Sequence, residues 1–162
     1  MVRIGLLSDT HSFLDPALLP VLADCDEIWH AGDLGSLALL NQLRKLNKPL
    51  RVVYGNIDGH DIRIDVPQYL SWKVEKMKIF MTHIGGYPGH YTADVKKRLL
   101  AEKPDVYICG HSHILKVIYD KQLQLLHINP GASGREGFQK VRTMIRFCID
   151  QDKVKDLAII EM

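Results

Sequence analysis

Apolar residues fall in short runs separated by turns, and their period changes along the chain. Val2 to Leu7 is an almost unbroken apolar run, interrupted by Arg3 and stopped at Ser8 and Asp9, which predicts a buried strand. A helical pattern then leads up to Ala23; an interior proline would break that helix, so Pro20 is placed in its first turn. Glu27 to His30 reads as a second strand. Ser36 follows as an N-cap for a helix with Leu37, Leu40, Leu43 and Leu46 on neighbouring faces, and Leu50 to Tyr54 is a third strand.

After Asp65 the pattern is mostly extended. Strands are predicted over Tyr69–Val74 and Lys78–Thr82, then a helix from Thr92 with Val95 and Leu99 facing inward, then a buried strand over Asp105–Cys109. Leu115–Tyr119, Leu123–Ile128, Val141–Ile149 and Val154–Ile160 complete the set, the last two joined by the polar turn Asp150-Gln151-Asp152. Strand-helix units followed by a run of strands predict an α/β (α+β) chain with two packed sheets and helices outside.

Length and composition narrow the classes. At 162 residues, with no repeat, low-complexity tract or Gly/Ser linker, the chain is expected to form one domain, 1–162. Lys and Arg total 21 against 19 for Asp and Glu, a net charge of +2 that gives no strong field for nucleic acid or an anionic membrane. Any bound anion must therefore be held by a local site. The apolar run at Ile4–Leu7 is too short for a signal peptide or a membrane span, and the expectation is a cytoplasmic protein. Cys25, Cys109 and Cys148 are odd in number and lack C-x-x-C spacing, against a disulfide framework or a thiolate zinc site.

Chemistry concentrates where strands end. Asp9 and His11 follow the first strand, Asp33 follows Gly32 after the second, and Asn56 follows Gly55 after the third; His83 follows Thr82, and His111 and His113 follow Gly110. In α/β sheets, ligands collect at the carboxyl ends of strands, so residues a hundred positions apart can share one cleft. Where the backbone stays extended, a spacing of two puts Asp9 with His11, and His111 with His113, on one side of the chain, each pair able to pinch one centre. Taken singly, each residue reads more readily as a hydrogen-bonded structural or turn group than as a ligand.

Together, Asp-x-His at 9–11, Gly-Asp at 32–33, Gly-Asn-x-Asp at 55–58, Thr-His at 82–83 and Gly-His-Ser-His at 110–113 resemble the signature blocks of calcineurin-like metallophosphoesterases, in the order of the small bacterial and archaeal phosphodiesterase branch. The resemblance implies a four-layer αββα sandwich of two mixed sheets flanked by helices. It implies a first metal held by Asp9, His11, Asp33 and His113, and a second held by Asp33, Asn56, His83 and His111, with Asp33 bridging. It further implies hydrolysis of a small phosphate ester by a hydroxide shared between two divalent cations, with Asp33, Asn56 and His83 acting through that hydroxide. Oxygen and imidazole donors without thiolate suit Mn first, and also Fe, Zn, Ni or Mg. Family members form dimers or tetramers, and nothing in the sequence selects a number.

The sequence departs from the pattern at Ile57, where many family members carry a histidine thought to protonate the leaving oxygen or bind phosphate. Isoleucine donates no proton, so help typically worth about 10² to 10⁴ in rate is missing. That favours phosphodiesters, or an acid supplied from elsewhere; His60 and His90 are candidates, with exposed loop positions as the plainer reading. Asp58 is read as a turn or supporting residue, and His30 as a supporting or packed histidine. Arg135 and Ser133, after the Asn129-Pro130-Gly131 turn, are candidate anion contacts. The opposing reading is a scaffold for protein-protein contacts, as in the retromer subunit similar to this family.

Overall fold

The computed structural model describes residues 1–162. In chain order its elements are β1 (Val2–Leu7), α1 (Leu19–Ala23), β2 (Glu27–His30), α2 (Leu37–Arg44), β3 (Leu50–Val52), α3 (His60–Arg63), β4 (Tyr69–Val74), β5 (Met77–Thr82), α4 (Ala93–Glu102), β6 (Val106–Ile108), β7 (Lys116–Asp120), β8 (Leu125–Asn129), β9 (Thr143–Asp150) and β10 (Lys153–Glu161). The strands form two five-stranded sheets ordered β10-β9-β1-β2-β3 and β4-β5-β6-β8-β7. Both are mixed: β1, β2 and β3 run parallel in the first, β5, β6 and β8 in the second, while β9 and β10 extend the first and β4 and β7 flank the second through antiparallel pairings.

Side-chain alternation explains the layering. On β1, Ile4 and Leu6 face inward, as do Val106 and Ile108 on β6 and Ile145, Phe147 and Ile149 on β9; they meet in a core between the sheets centred on Trp29. The opposite register of β1 and β9 sends Leu7 and Met144 outward against Leu22 of α1, Leu39, Leu40 and Leu43 of α2, and Ile62 of α3. Phe80 and Tyr107, on the outer face of the second sheet, pack against Val95 and Leu99 of α4. The result is the four-layer αββα sandwich, in which each fully buried aliphatic or aromatic side chain contributes roughly 1.5–3 kcal/mol.

Local signals set the helices. Ser36 Oγ accepts from the Leu39 N–H at the start of α2, and Thr92 Oγ1 accepts from the Val95 N–H at the start of α4. Pro20 lies in the first turn of α1, as its missing N–H requires. One element was not expected: α3, which begins at Gly59 without a side-chain cap and buries a single residue, Ile62. No helix is long and apolar enough to cross a membrane.

Candidate metal centre

Strand ends from both sheets deliver the seven residues to one edge of the sandwich, but by a different backbone route than the extended one expected. Asp9, His11, Asp33, His111 and His113 all adopt positive φ, between 45° and 70°. Asp and His tolerate the left-handed region better than most residues, yet each such non-glycine position costs of order 1–3 kcal/mol. The loops are held there by pairing beyond the strands: the Asp9 N–H donates to the Gly32 carbonyl and the His11 N–H to the Asp33 carbonyl. A spacing of two therefore does not put both residues on one centre as a rule. Asp9 and His11 stay together, whereas His111 and His113 part to opposite sides.

Two groups of donor atoms result, Asp9-His11-His113 and Asp33-His83-His111, each with its atoms within 4.8 Å of one another. Asp33 stands between the groups: its Oδ2 lies 3.1 Å from His83 Nε2 and 3.6 Å from His11 Nε2, while its Oδ1 accepts from the Ile57 N–H at 3.0 Å. Asn56 Oδ1 sits between His83 Nε2, at 3.1 Å, and His111 Nδ1, at 3.0 Å. Asp9 is fully buried; its Oδ2 accepts from Ser8 Oγ and the His111 N–H, while Oδ1 lies 3.2 Å from His113 Nε2.

The donor set fits divalent cations. Asp9 Oδ1 and His11 Nε2 are buried polar atoms without a hydrogen-bond partner, an expensive arrangement unless something else is bound there. Six of the seven donors are carboxylate or imidazole and the seventh is an amide oxygen, with no thiolate, which suits Mn, Fe, Zn, Ni or Mg. Tautomers are set from behind: the His83 Nδ1–H donates to the Ala31 carbonyl at 2.7 Å, and the His113 Nδ1–H to Gln139 Oε1 at 2.9 Å, so both Nε2 lone pairs face the cluster.

Charge is tightly coupled at this edge. Burial pushes the Asp33 carboxyl up, but the adjacent His83 ring and the Ile57 N–H outweigh it and leave it below the ordinary carboxylate range. Burial likewise pulls His83 down, and Asp33, Asp9 and the Ala31 carbonyl more than reverse that. His113 is raised by the Asp9 carboxylate beside it, and His111 is lowered by burial and by His83. Protons and cations compete for the same lone pairs here.

Residues behind the cluster fix its loops. Asp58, read from the sequence as a supporting group, is buried and accepts from three backbone N–H groups, those of Leu34, Gly35 and Gly55, which ties the loop after β2 to the loop after β3. Arg63 of α3 donates to the carbonyls of Asp58, Gly55 and Asn56. Asn129 donates to the Gly110 carbonyl and to Ser112 Oγ, holding the His111–His113 loop. His30 is fully buried; its Nδ1 accepts from the Gly32 N–H, leaving Nε2–H for Thr10 Oγ1, and burial pushes its pKa down to about 4. At Gly55 a Cβ would collide with the Asp33 carboxylate, which is why the position is glycine.

Gln139 escaped the sequence reading because no motif surrounds it; the signal would have been its place in the loop opposite His113. The Ile57 side chain is exposed, and its position contributes through the backbone N–H to Asp33. His60 and His90 are exposed and hydrogen-bond to none of the seven; His90 packs beside Tyr87. Arg135 stacks on Phe13, and Ser133 Oγ is spent on the Thr143 carbonyl, so the pair does not form an anion cradle.

A layered α/β architecture with oxygen and imidazole donors gathered at the carboxyl ends of its strands defines the class, a protein with a candidate metal-binding centre. The chain belongs to the calcineurin-like phosphoesterase superfamily, whose domain matches residues 2–152. It is 32% identical over 136 residues to a probable metallophosphoesterase of Methanothermobacter thermautotrophicus, covering 80% of this chain and 76% of that one. It is 27% identical over 145 residues to a phosphodiesterase of Methanocaldococcus jannaschii, covering 80% and 83%. Among solved structures it is similar to wild-type Vps29 of Entamoeba histolytica complexed with zinc, with a TM-score of 0.76 over 99% of this chain and 98% of that one; at 16% identity the likeness is one of fold.

Proposed function

We propose that this chain hydrolyses a phosphodiester at a pair of divalent cations, manganese being the first choice. The observation that carries the reading is the geometry of the two donor groups, with Asp33 between them and two buried, unpartnered donor atoms, Asp9 Oδ1 and His11 Nε2, aimed into the gap. Asp9, His11, Asp33 and His113 would hold one cation, and Asp33, Asn56, His83 and His111 the other. When bound, such a pair supplies Lewis-acid polarisation of phosphoryl oxygens and a water acidified toward neutral pH.

The protein's part is positioning. Asp33 keeps one oxygen pinned by the Ile57 N–H and presents the other, so its carboxylate cannot rotate away. His83 and His113 are locked in one tautomer by Ala31 and Gln139. No side chain at position 57 can protonate a leaving alkoxide, which favours esters whose leaving group is already a weak base. The name of the Methanocaldococcus relative supports the same direction. The test is metal analysis of the purified chain, then turnover of an aryl phosphodiester with added Mn²⁺. About two cations per chain and loss of turnover in Asp33→Ala are expected; undiminished turnover in a His113→Ala, Asn56→Ala double variant would rule the mechanism out. The competing reading, a weak or inactive scaffold, has the fold likeness to Vps29 in its favour; bound cations with no turnover of any mono- or diester would decide for it.

A further inference from the structure

Beside the donor cluster, on the outer side of the second sheet, lies a slot of about 150 Å³. Its walls include Ile84, Tyr87 and Ile114, with Lys116 and His127 supplying polar edges, and His111 belongs to its lining. His111 is thus shared between the slot and the donor group with Asp33 and His83. Ile84, 44% exposed, is a ridge: on its other side is a second, more polar depression lined by Asn56, His83 and Arg63. Two depressions of different character therefore flank the place where a phosphoryl group would sit.

The slot has the dimensions and surface for one ring. A cavity of roughly this volume with apolar walls accommodates a benzene-sized molecule. Tyr87 is held as a wall by Lys116, whose Nζ lies 3.6 Å from the ring centroid. His127 is 1% exposed and stacks on Tyr107 at 4.9 Å, and its Nδ1 has no hydrogen-bond partner. Ser112 and Asn129 also line the slot, but the Asn129 amide is spent on the Gly110 carbonyl and Ser112 Oγ, so a polyol or an extended polar chain would leave most of its hydroxyls unpaired against Ile84 and Ile114, an expensive exchange for water. A planar ring would not.

We infer that the slot bounded by Ile84, Tyr87 and Ile114 binds an aromatic arm of the phosphoester, one planar ring, while the phosphoryl group occupies the position next to His111. The inference rests on the reading of the donor cluster as a cation centre, and it assigns the ridge at Ile84 the task of separating that arm from the rest of the substrate. Substrate preference then resides in residues that contribute no candidate ligand.

Binding alone tests it. Phenylphosphonate and methylphosphonate are titrated calorimetrically into the manganese-loaded protein, its Ile114→Trp variant and its Tyr87→Ala variant. Both substituted residues are substantially exposed, at 52% and 41%, so the fold tolerates the changes. Burial of the ring predicts phenylphosphonate binding about tenfold or more tighter than methylphosphonate in the unsubstituted protein. Filling the slot with tryptophan, or removing its tyrosine wall, brings that ratio below about threefold with methylphosphonate affinity unchanged. Equal affinity in the unsubstituted protein, or a ratio that survives Ile114→Trp, overturns the slot while leaving the cation centre standing. Failure of both phosphonates to bind the manganese-loaded protein overturns the placing of a phosphoryl group at the cation centre, and the slot with it.

Discussion

Replacing Gln139 by alanine isolates how far an orienting group, as opposed to a ligand, sets cation affinity. Gln139 Oε1 accepts from His113 Nδ1 at 2.9 Å, and its Nε2 donates to the carbonyls of Gly134, at 3.1 Å, and Glu136, at 2.6 Å. The substitution removes the acceptor that fixes the His113 tautomer and also frees the loop that carries it. A neutral hydrogen bond of this kind is worth about 0.5–1.5 kcal/mol net. Losing the His113 bond and part of the loop tether comes to about 1.4–2.7 kcal/mol, or about tenfold to a hundredfold in affinity. Phe138, stacked on the His113 ring at 6.2 Å, retains some of its orientation and puts the expected loss nearer tenfold. Mn²⁺ titration with two resolved sites is the assay. The site built on His113 should weaken and the site built on His83 should not. If both sites bind within about threefold of the unsubstituted protein, His113 needs no orienting partner and the account of Gln139 fails.

His127 makes a pH prediction: burial, with Lys116 adding to it and the Tyr107 backbone and Asp120 opposing, pushes its pKa from 6.5 down to about 4. The unfolded chain therefore takes up a proton below pH 6.5 that the folded chain refuses until about pH 4, so stability falls with falling pH across that window, by about 2–3 kcal/mol between pH 7.5 and 4.5. Urea denaturation of His127→Phe at the two pH values should show a drop smaller by that amount; an identical drop would refute the assignment. Asp58→Ala strands three backbone N–H donors, two of them buried and one partly buried, and should cost about 3 kcal/mol or more, read as a lowered urea midpoint. In Gly110→Ala the new Cβ meets Ser8 Oγ, and Asp9 Oδ2 at 2.9 Å, so cation binding should fall sharply in calorimetry while the far-ultraviolet circular dichroism stays the same. Unaltered binding there would mean that Asp9 has more room than the structure allows.

What the chain discloses in advance follows from how local each feature is. β1 and β9 are legible because alternate residues serve two different cores, and α2 and α4 because Ser36 and Thr92 announce them. α3 is not, since four residues with one buried side chain produce no period. The pairing of β1 with β9, more than a hundred residues away, is set by the packing of whole layers and leaves no mark on either strand alone. The centre divides in the same way. Its donors stand out as residue types at strand ends, whereas the loops that carry the left-handed backbone at Asp9, His11, Asp33, His111 and His113 are held from other segments, by His30 at Thr10, by Asp58 at Leu34 and Gly35, and by Asn129 at Gly110. Each of those contacts joins two protein groups. The strain at the five positions is therefore already met by the scaffold, so cations should enter a preformed site, with fast binding and little change in backbone amide protection, and not one that folds around them.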